Sequence, residues 1–294
     1  MKKLSLLILF VIPFAFLSLG QTKKAAPKKP EAKHTTVTKP GKKDEKPVRI
    51  EIITEYGSMF FKLYNETPQH RDNFVKLIKD GFYDSLLFHR VIKSFMIQGG
   101  DPVSKYADSN AVLGSGDVGY KIPAEFNPAL YHKRGALAAA RDNNPQQMSS
   151  GCQFYIVQGR KFTTQELEQM INTKNLNKKQ EILYQIYQTD TVQAAVNKMQ
   201  TSGGDKEQLR LYMDQLQIVV DKAYEQKYPN ADKVNMDQIQ TYMEFGGAPH
   251  LDGAYTVFGE MESGFEVLDI IANVRTLPGD RPLSDIRMKI RILK

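Results

Sequence analysis

The chain has 294 residues, 41% hydrophobic and 25% charged, enough for one large domain or two ordinary ones. Its formal charge of +7 is a property of one end: Lys2, Lys3 and nine Lys against three acids between 21 and 47 leave residues 48–294 near −1, which excludes a basic nucleic-acid-binding domain. The single cysteine excludes an intrachain disulfide, and Cys152, between Gly151 and Gln153 with no base close in sequence, reads as a small buried hydrophobe.

Met1-Lys2-Lys3, an apolar run from Leu4 to Leu19 and a close on Ser18-Leu19-Gly20 read as a secretory signal over residues 1–20. An uncleaved anchor is the alternative; after cleavage no second long apolar run follows, so no integral membrane span is expected. Residues 21–47 are Lys, Pro, Ala and Thr with few large apolar side chains, the composition of a disordered linker.

Order is expected from Val48. Val48, Ile50 and Ile52 alternate with Arg49 and Glu51 as a half-buried strand, Glu55-Tyr56-Gly57 makes a turn, and Ser58–Tyr64 returns as the second strand of a hairpin. Thr67-Pro68 has the form of a helix N-cap followed by Pro at the first helical position, with Phe74, Leu77 and Ile78 as the apolar stripe and Gly81 as the stop. From Phe88 to about Val157 short strands alternate with Gly, Pro, Asp and Asn. Ile286, Met288, Ile290 and Ile292 form a terminal strand suited to pair with Val48–Thr54. Many short strands with two helices suggest a mainly β protein, a closed antiparallel barrel without exposed edges. Residues 163–243 differ in character. Thr163 with Glu166 is a capping box, Leu167, Met170, Ile171, Ile182, Leu183 and Ile186 keep helical spacing, Ser202-Gly203-Gly204 interrupts, and a second helix runs from Asp205 to about Tyr228. This stretch reads as an α-helical hairpin inserted into a barrel loop.

The most informative run is Phe88-His89-Arg90-Val91-Ile92, followed by Phe95-Met96-Ile97-Gln98-Gly99-Gly100-Asp101. A permanent cation and an amide among large apolar side chains need a reason, because charge is depleted in cores. A shallow apolar site with one donor at its wall supplies that reason, and it suits a proline ring and its amide.

These residues resemble the signature of the cyclophilins, peptidyl-prolyl cis-trans isomerases. Gly135-Ala136-Leu137-Ala138-Ala139-Ala140-Arg141, Ser150-Gly151-Cys152-Gln153-Phe154-Tyr155-Ile156 and His250-Leu251-Asp252-Gly253, continuing to Tyr255 and Val257-Phe258-Gly259-Glu260, are similar to the family's later blocks, in order. The resemblance implies an eight-stranded cyclophilin-like barrel capped by two helices over 48–294, interrupted by the insertion. It implies isomerase activity without a cofactor and partners that are proline-containing unfolded or partly folded polypeptides. Arg90 and Gln98 would be catalytic; Phe95, Met96, Tyr155 and Leu251 would line the proline site; Ala140 and Arg141 would hold substrate through main-chain groups, with Gln153 nearby. His250 stands where many members carry Trp, which implies weak sensitivity to cyclosporin, and Tyr255 stands where His is usual. The Tyr155 hydroxyl, added at the floor or edge of the site where the family carries Phe, is expected to be tolerated if it reaches water. His89 is expected to face the other side of the strand. A leader on such a chain implies export, periplasmic in a bacterium, with tethering to the membrane as the alternative.

The five His show no pair at ligand spacing, so no metal is expected. No Gly-x-Ser-x-Gly stands between strand and helix, which removes the usual hydrolase signal. The remaining rival is a non-catalytic cyclophilin-like module holding clients through its helical insertion. On the catalytic reading, deleting residues 164–243 is expected to leave short-peptide turnover mostly intact and to lower activity on unfolded protein; decoration or a dimer contact is the alternative role for the insertion.

Overall fold

A computed structural model describes residues 46–109, 111–201, 206–229 and 235–294. The signal at 1–20 and the linker as far as residue 45 lie outside the described residues.

Strands β1 (Arg49–Thr54) and β2 (Gly57–Leu63) form the expected hairpin. The turn needs a left-handed residue, and Gly57 supplies it at φ +124. Helix α1 (Pro68–Lys79) follows and stops at Gly81, whose φ is +65. Its start differs from expectation: the Thr67 hydroxyl makes no capping bond. Glu125, 55 residues away, takes its place, accepting from the backbone N–H of Gln69 at 3.1 Å and of His70 at 3.0 Å. A carboxylate satisfies two orphan donors and opposes the helix dipole better than a hydroxyl does.

The remaining strands are β3 (Phe88–Ile92), β4 (Met96–Gly99), β5 (Lys121–Ile122), β6 (Ala136–Ala139), β7 (Ser149–Ser150), β8 (Phe154–Val157), β9 (Val257–Ser263) and β10 (Lys289–Ile292). Eight of the ten strands named form one antiparallel sheet in the order β10-β1-β2-β9-β6-β8-β4-β3, while β5 and β7 pair separately. The terminal strand pairs with β1 as its alternation suggested, Ile290 facing Ile52 and Ile292 facing Ile50. The sheet is a curled half-barrel rather than a closed barrel. Its edges meet through an isolated antiparallel bridge between Leu87 and Arg287, flanked by bonds from Phe88 N–H to Ile286 O at 2.9 Å and from Met288 N–H to Leu86 O at 2.9 Å.

Between the strands of the sheet and helices α1 and α6 (Phe265–Ala272) lies the main core. Phe74 sits at its centre, with ring centroids 4.9 Å from Tyr83, 5.2 Å from Phe258 and 5.3 Å from Phe154. Cys152 is buried beside this core, and burial pushes its thiol up to about 12, so it packs rather than reacts.

The chain is mixed α/β rather than mainly β, because the insertion holds four helices: α2 (Thr164–Tyr187), α3 (Asp190–Thr201), α4 (Lys206–Lys227) and α5 (Met236–Glu244). The Thr163–Glu166 capping box forms at the start of α2. Helices α2 and α4 run antiparallel, Lys179 pairing with Asp221 at 3.0 Å while Ile182 packs on Val220 and Tyr224. Two features turn the expected hairpin into a larger unit. The helical pattern after Tyr187 breaks at Gln188-Thr189, so α3 is separate and places Val192 and Val196 against Leu216. Helix α5, capped by Asn235, binds Ile239 and Tyr242 to Leu167 of α2.

Candidate active site

Period-two alternation in the sheet builds the site. Along β4, Ile97 enters the main core while Met96 turns to the opposite face; along β8, Phe154 and Ile156 go inward while Tyr155 and Val157 go outward; along β6, Leu137 and Ala139 alternate with Ala136 and Ala138. The outward set forms a second apolar cluster over β9, β6, β8 and β4. Met96, Ala140 and Tyr155 lie in it, with Phe95, Leu251 and Tyr255 packed partly exposed against it. Small Ala side chains on β6 let larger neighbours approach. His250 borders this face, its ring 5.2 Å from that of Phe95. Burial, then the neighbouring His132, lowers the His250 pKa, which favours a neutral ring. Tyr64, Ile92, Leu130, Ala248 and Val257 extend the same face. They sit outside the matched blocks or read as ordinary strand residues.

Arg90 lies on β3 directly opposite Gln98 of β4, and Gln98 lies opposite Tyr155 of β8. All three therefore share a face, but among the described residues Arg90 and Gln98 make no bond to each other. The Gln98 amide donates to Gln153 Oε1 at 3.1 Å, and Gln153 in turn donates to Gly114 O at 3.0 Å and Gly116 O at 2.7 Å. Arg90 Nε instead donates to Asp280 Oδ2 at 3.2 Å. Asp280, in the segment before β10, stands outside the motif blocks, so nothing in the sequence pointed to it. Both side chains are about 40% exposed (43% and 41%), so the pair contributes about 0–1 kcal/mol and is easily exchanged for another partner.

Ala140 does not offer free main-chain groups. Its N–H donates to Gln153 O at 2.9 Å and its carbonyl accepts from Ser150 N–H at 2.8 Å. Among the described residues no bond engages the Arg141 main chain, so of the two residues Arg141 is the one with groups to spare. Its guanidinium lies 4.6 Å over the Tyr255 ring and Nε donates to Ala254 O at 3.0 Å, which holds Tyr255 at the edge of the face. His89 is buried, and burial lowers its pKa to about 4, so it is a neutral packing residue.

The Tyr155 hydroxyl does not reach water. It bonds to Nε2 of buried His132 at 2.9 Å, and His132 Nδ1 donates to Asp252 Oδ1 at 2.8 Å. Since a carboxylate only accepts, Nδ1 carries the hydrogen and Nε2 accepts from the phenol. Burial raises the Tyr155 pKa well above its ordinary value and keeps that donor protonated. In sequence His132 bore only on metal binding and Asp252 only on motif spacing.

Comparison with known proteins addresses the family and the fold. The family model described as "Cyclophilin type peptidyl-prolyl cis-trans isomerase/CLD" matches residues 49–218 and 224–291. A Streptococcus pyogenes protein named for inferred phosphatase and peptidyl-prolyl cis-trans isomerase activities is 30% identical over 243 residues; the match covers 81% of this chain but only 37% of that longer protein. A Staphylococcus aureus protein named for an inferred peptidyl-prolyl cis-trans isomerase activity is 28% identical over 240 residues, covering 81% of this chain and 88% of its own. In fold, the chain is similar to the crystal structure of a Cryptosporidium parvum cyclophilin-type isomerase, with a TM-score of 0.50 and 22% identity over 84% of this chain and 98% of that one. The family model spans most of the chain, and the chain belongs to the cyclophilin-type peptidyl-prolyl cis-trans isomerases.

Proposed function

We propose that this protein accelerates rotation about Xaa-Pro bonds by holding the proline ring on the face made by Phe95, Met96, Tyr155, Leu251 and Tyr255 while Arg90 donates to the prolyl nitrogen. The observation that carries the reading is the cross-strand placement of Arg90 beside Gln98, on the same face as that cluster. An imide bond resists rotation by about 18–20 kcal/mol because resonance gives C–N double-bond character. Twisting removes the resonance and leaves a pyramidal, more basic nitrogen. A donor aimed at that atom stabilises the transition state and neither planar form, so it raises kcat. A guanidinium suits the task, being always charged and carrying fixed N–H groups. The weak Asp280 pair holds Arg90 near its working position and yields when substrate arrives. The Gln98–Gln153 pair and the Arg141 main chain are suited to hold the peptide backbone. No bond is made or broken, so no cofactor is required.

In a proline-isomerisation assay on a short peptide, Arg90→Ala at matched folding is expected to lower kcat by about 10²–10³-fold, the effect of removing one transition-state donor. Equal turnover by the two proteins would leave a binding module as the better description. The physiological substrates we propose are exported, incompletely folded chains in a periplasm, on the strength of the leader-like residues 1–20 and the linker behind them. Cell fractionation tests that assignment, and recovery of the protein in the cytoplasmic fraction would overturn it.

A further inference from the structure

The helical insertion reaches the proline site through one carboxylate. Asp252 directly follows Leu251, which lines the apolar face, and four groups converge on it. Its Oδ1 accepts from the His132 backbone N–H at 2.9 Å and from His132 Nδ1 at 2.8 Å; its Oδ2 accepts from the Tyr242 hydroxyl at 2.6 Å; its carbonyl accepts from Lys174 Nζ. Tyr242 belongs to α5 and Lys174 to α2, so two insertion helices grip the segment carrying His250 and Leu251. His132 passes the connection to the Tyr155 hydroxyl on β8. A chain of hydrogen bonds therefore runs from the insertion to the floor of the site, and charge-assisted bonds of this kind are directional and short. Packing fixes the same joint: Gly247 lies so close to the Tyr242 ring and the His132 carbonyl that a Cβ there would come within 2.4 Å of each.

We propose that Asp252 is a positioning residue through which the insertion sets the proline site, so that the insertion acts on short peptides and not on protein clients alone. The proposal rests on the isomerase reading above. It also predicts a different kinetic signature from loss of Arg90. A site that grips the proline ring binds planar and twisted forms alike, so loosening it raises KM, whereas loss of a transition-state donor lowers kcat.

The test uses the full chain with a short Xaa-Pro peptide. Tyr242→Phe keeps the ring packed against Tyr131 and Phe162 and removes only the hydroxyl bond. It is expected to raise KM about tenfold, the scale of one hydrogen bond to a charged group, with kcat within about twofold. Asp252→Ala should raise KM at least as far. Asp252→Asn, which keeps the oxygen facing His132, should recover most of the loss. Adding Tyr242→Phe to Asp252→Ala should change nothing further, because the two act through one contact. Methyl NMR of the free protein reads the same coupling without turnover, and Tyr242→Phe should shift the Leu251 and Met96 methyl resonances. Unchanged KM and unmoved methyl signals in Tyr242→Phe would overturn the proposal even where Arg90→Ala abolishes turnover. An unaffected Arg90→Ala variant with shifted methyl signals would instead discard the catalytic reading and keep the coupling.

Discussion

Two side chains decide how a shared site is tuned in this chain, and neither acts as its neighbours in sequence suggest. Asp280 stands at φ +68 with its carbonyl accepting from Val91 N–H at 2.8 Å, so its backbone is fixed to β3 while its carboxylate steadies Arg90. Asn tolerates the same left-handed conformation. Asp280→Asn is therefore expected to leave thermal stability within about 1 kcal/mol of wild type, as for a half-exposed ion pair, and turnover within about threefold. A large loss of kcat in that variant would show that Asp280 orients the guanidinium actively. Tyr155 is the second case. Tyr155→Phe leaves His132 Nε2 buried without its partner, which should cost about 1–3 kcal/mol in urea unfolding while the apolar face survives. In sequence, the family resemblance and motif order group Arg90, Gln98 and Tyr155, and the strand register places the three on one face. Asp280 and the His132–Asp252 link escape a reading of the sequence because those contacts join residues 190 and 120 positions apart and follow no periodicity.

At the scale of elements, the cap of α1 shows how a long-range contact can replace a local one. Thr67-Pro68 has the right residues for a helix start, yet the donors go to Glu125, which also accepts from His70 Nδ1 at 2.6 Å. His70 Nε2 meets Ser149 Oγ at 2.9 Å, so the capping carboxylate ties α1 to β7 as well. Burial alone would raise the Glu125 pKa, but bonds from the His70 ring and from the His70 and Gln69 N–H groups outweigh it and hold the carboxyl below its ordinary value. Glu260 on β9 behaves in the same way. Burial opposes ionisation there, yet bonds from Lys133 and Lys62 bring its pKa down to about 2. A carboxyl with a depressed native pKa binds its proton more readily in the unfolded chain. Its stabilisation is full above the ordinary carboxyl pKa of about 4.3 and is lost as pH falls through the native value. Buried neutral His89, its pKa lowered to about 4, and His250, lowered likewise, also take up protons more readily in the unfolded chain. Denaturant midpoints should therefore begin to decline below about pH 6.5, and the carboxyl contribution should add to the fall between about pH 4.5 and 2. Glu125→Gln, already uncharged, should start lower at pH 7 and show a shallower acid slope. An unchanged slope would mean that the cap does not couple to proton uptake.

Across the whole molecule, apolar material is divided unevenly, and that division predicts how the chain opens. The main core holds the sheet and two helices in one continuous cluster, whereas the insertion has two small clusters of its own, around Tyr224 and around Leu216. Among the described residues, the apolar contact between the insertion and the remainder is a narrow seam of Leu167, Ile239 and Tyr242 against Tyr131 and Phe162, beside the polar bonds at Asp252. Buried area sets cooperativity, so segments with few buried side chains open with less free energy than the global transition. Helix α3 buries only Val192 and Val196, and α4 leaves Leu211, Ile218 and Val219 exposed. Hydrogen exchange should therefore run in a fixed order: amides of α3 and α4 first, those of α5 and the start of α2 next, and those of β1, β2, β6 and β8 last. The middle position of α5 is the informative one, because its Tyr242 hydroxyl is bonded to Asp252 beside the proposed site. Exchange of α5 together with α3 would mean that the joint at Asp252 is energetically slight. Exchange of all helices at the rate of the sheet would mean that insertion and barrel unfold as one cooperative unit, despite the thinness of the seam between them.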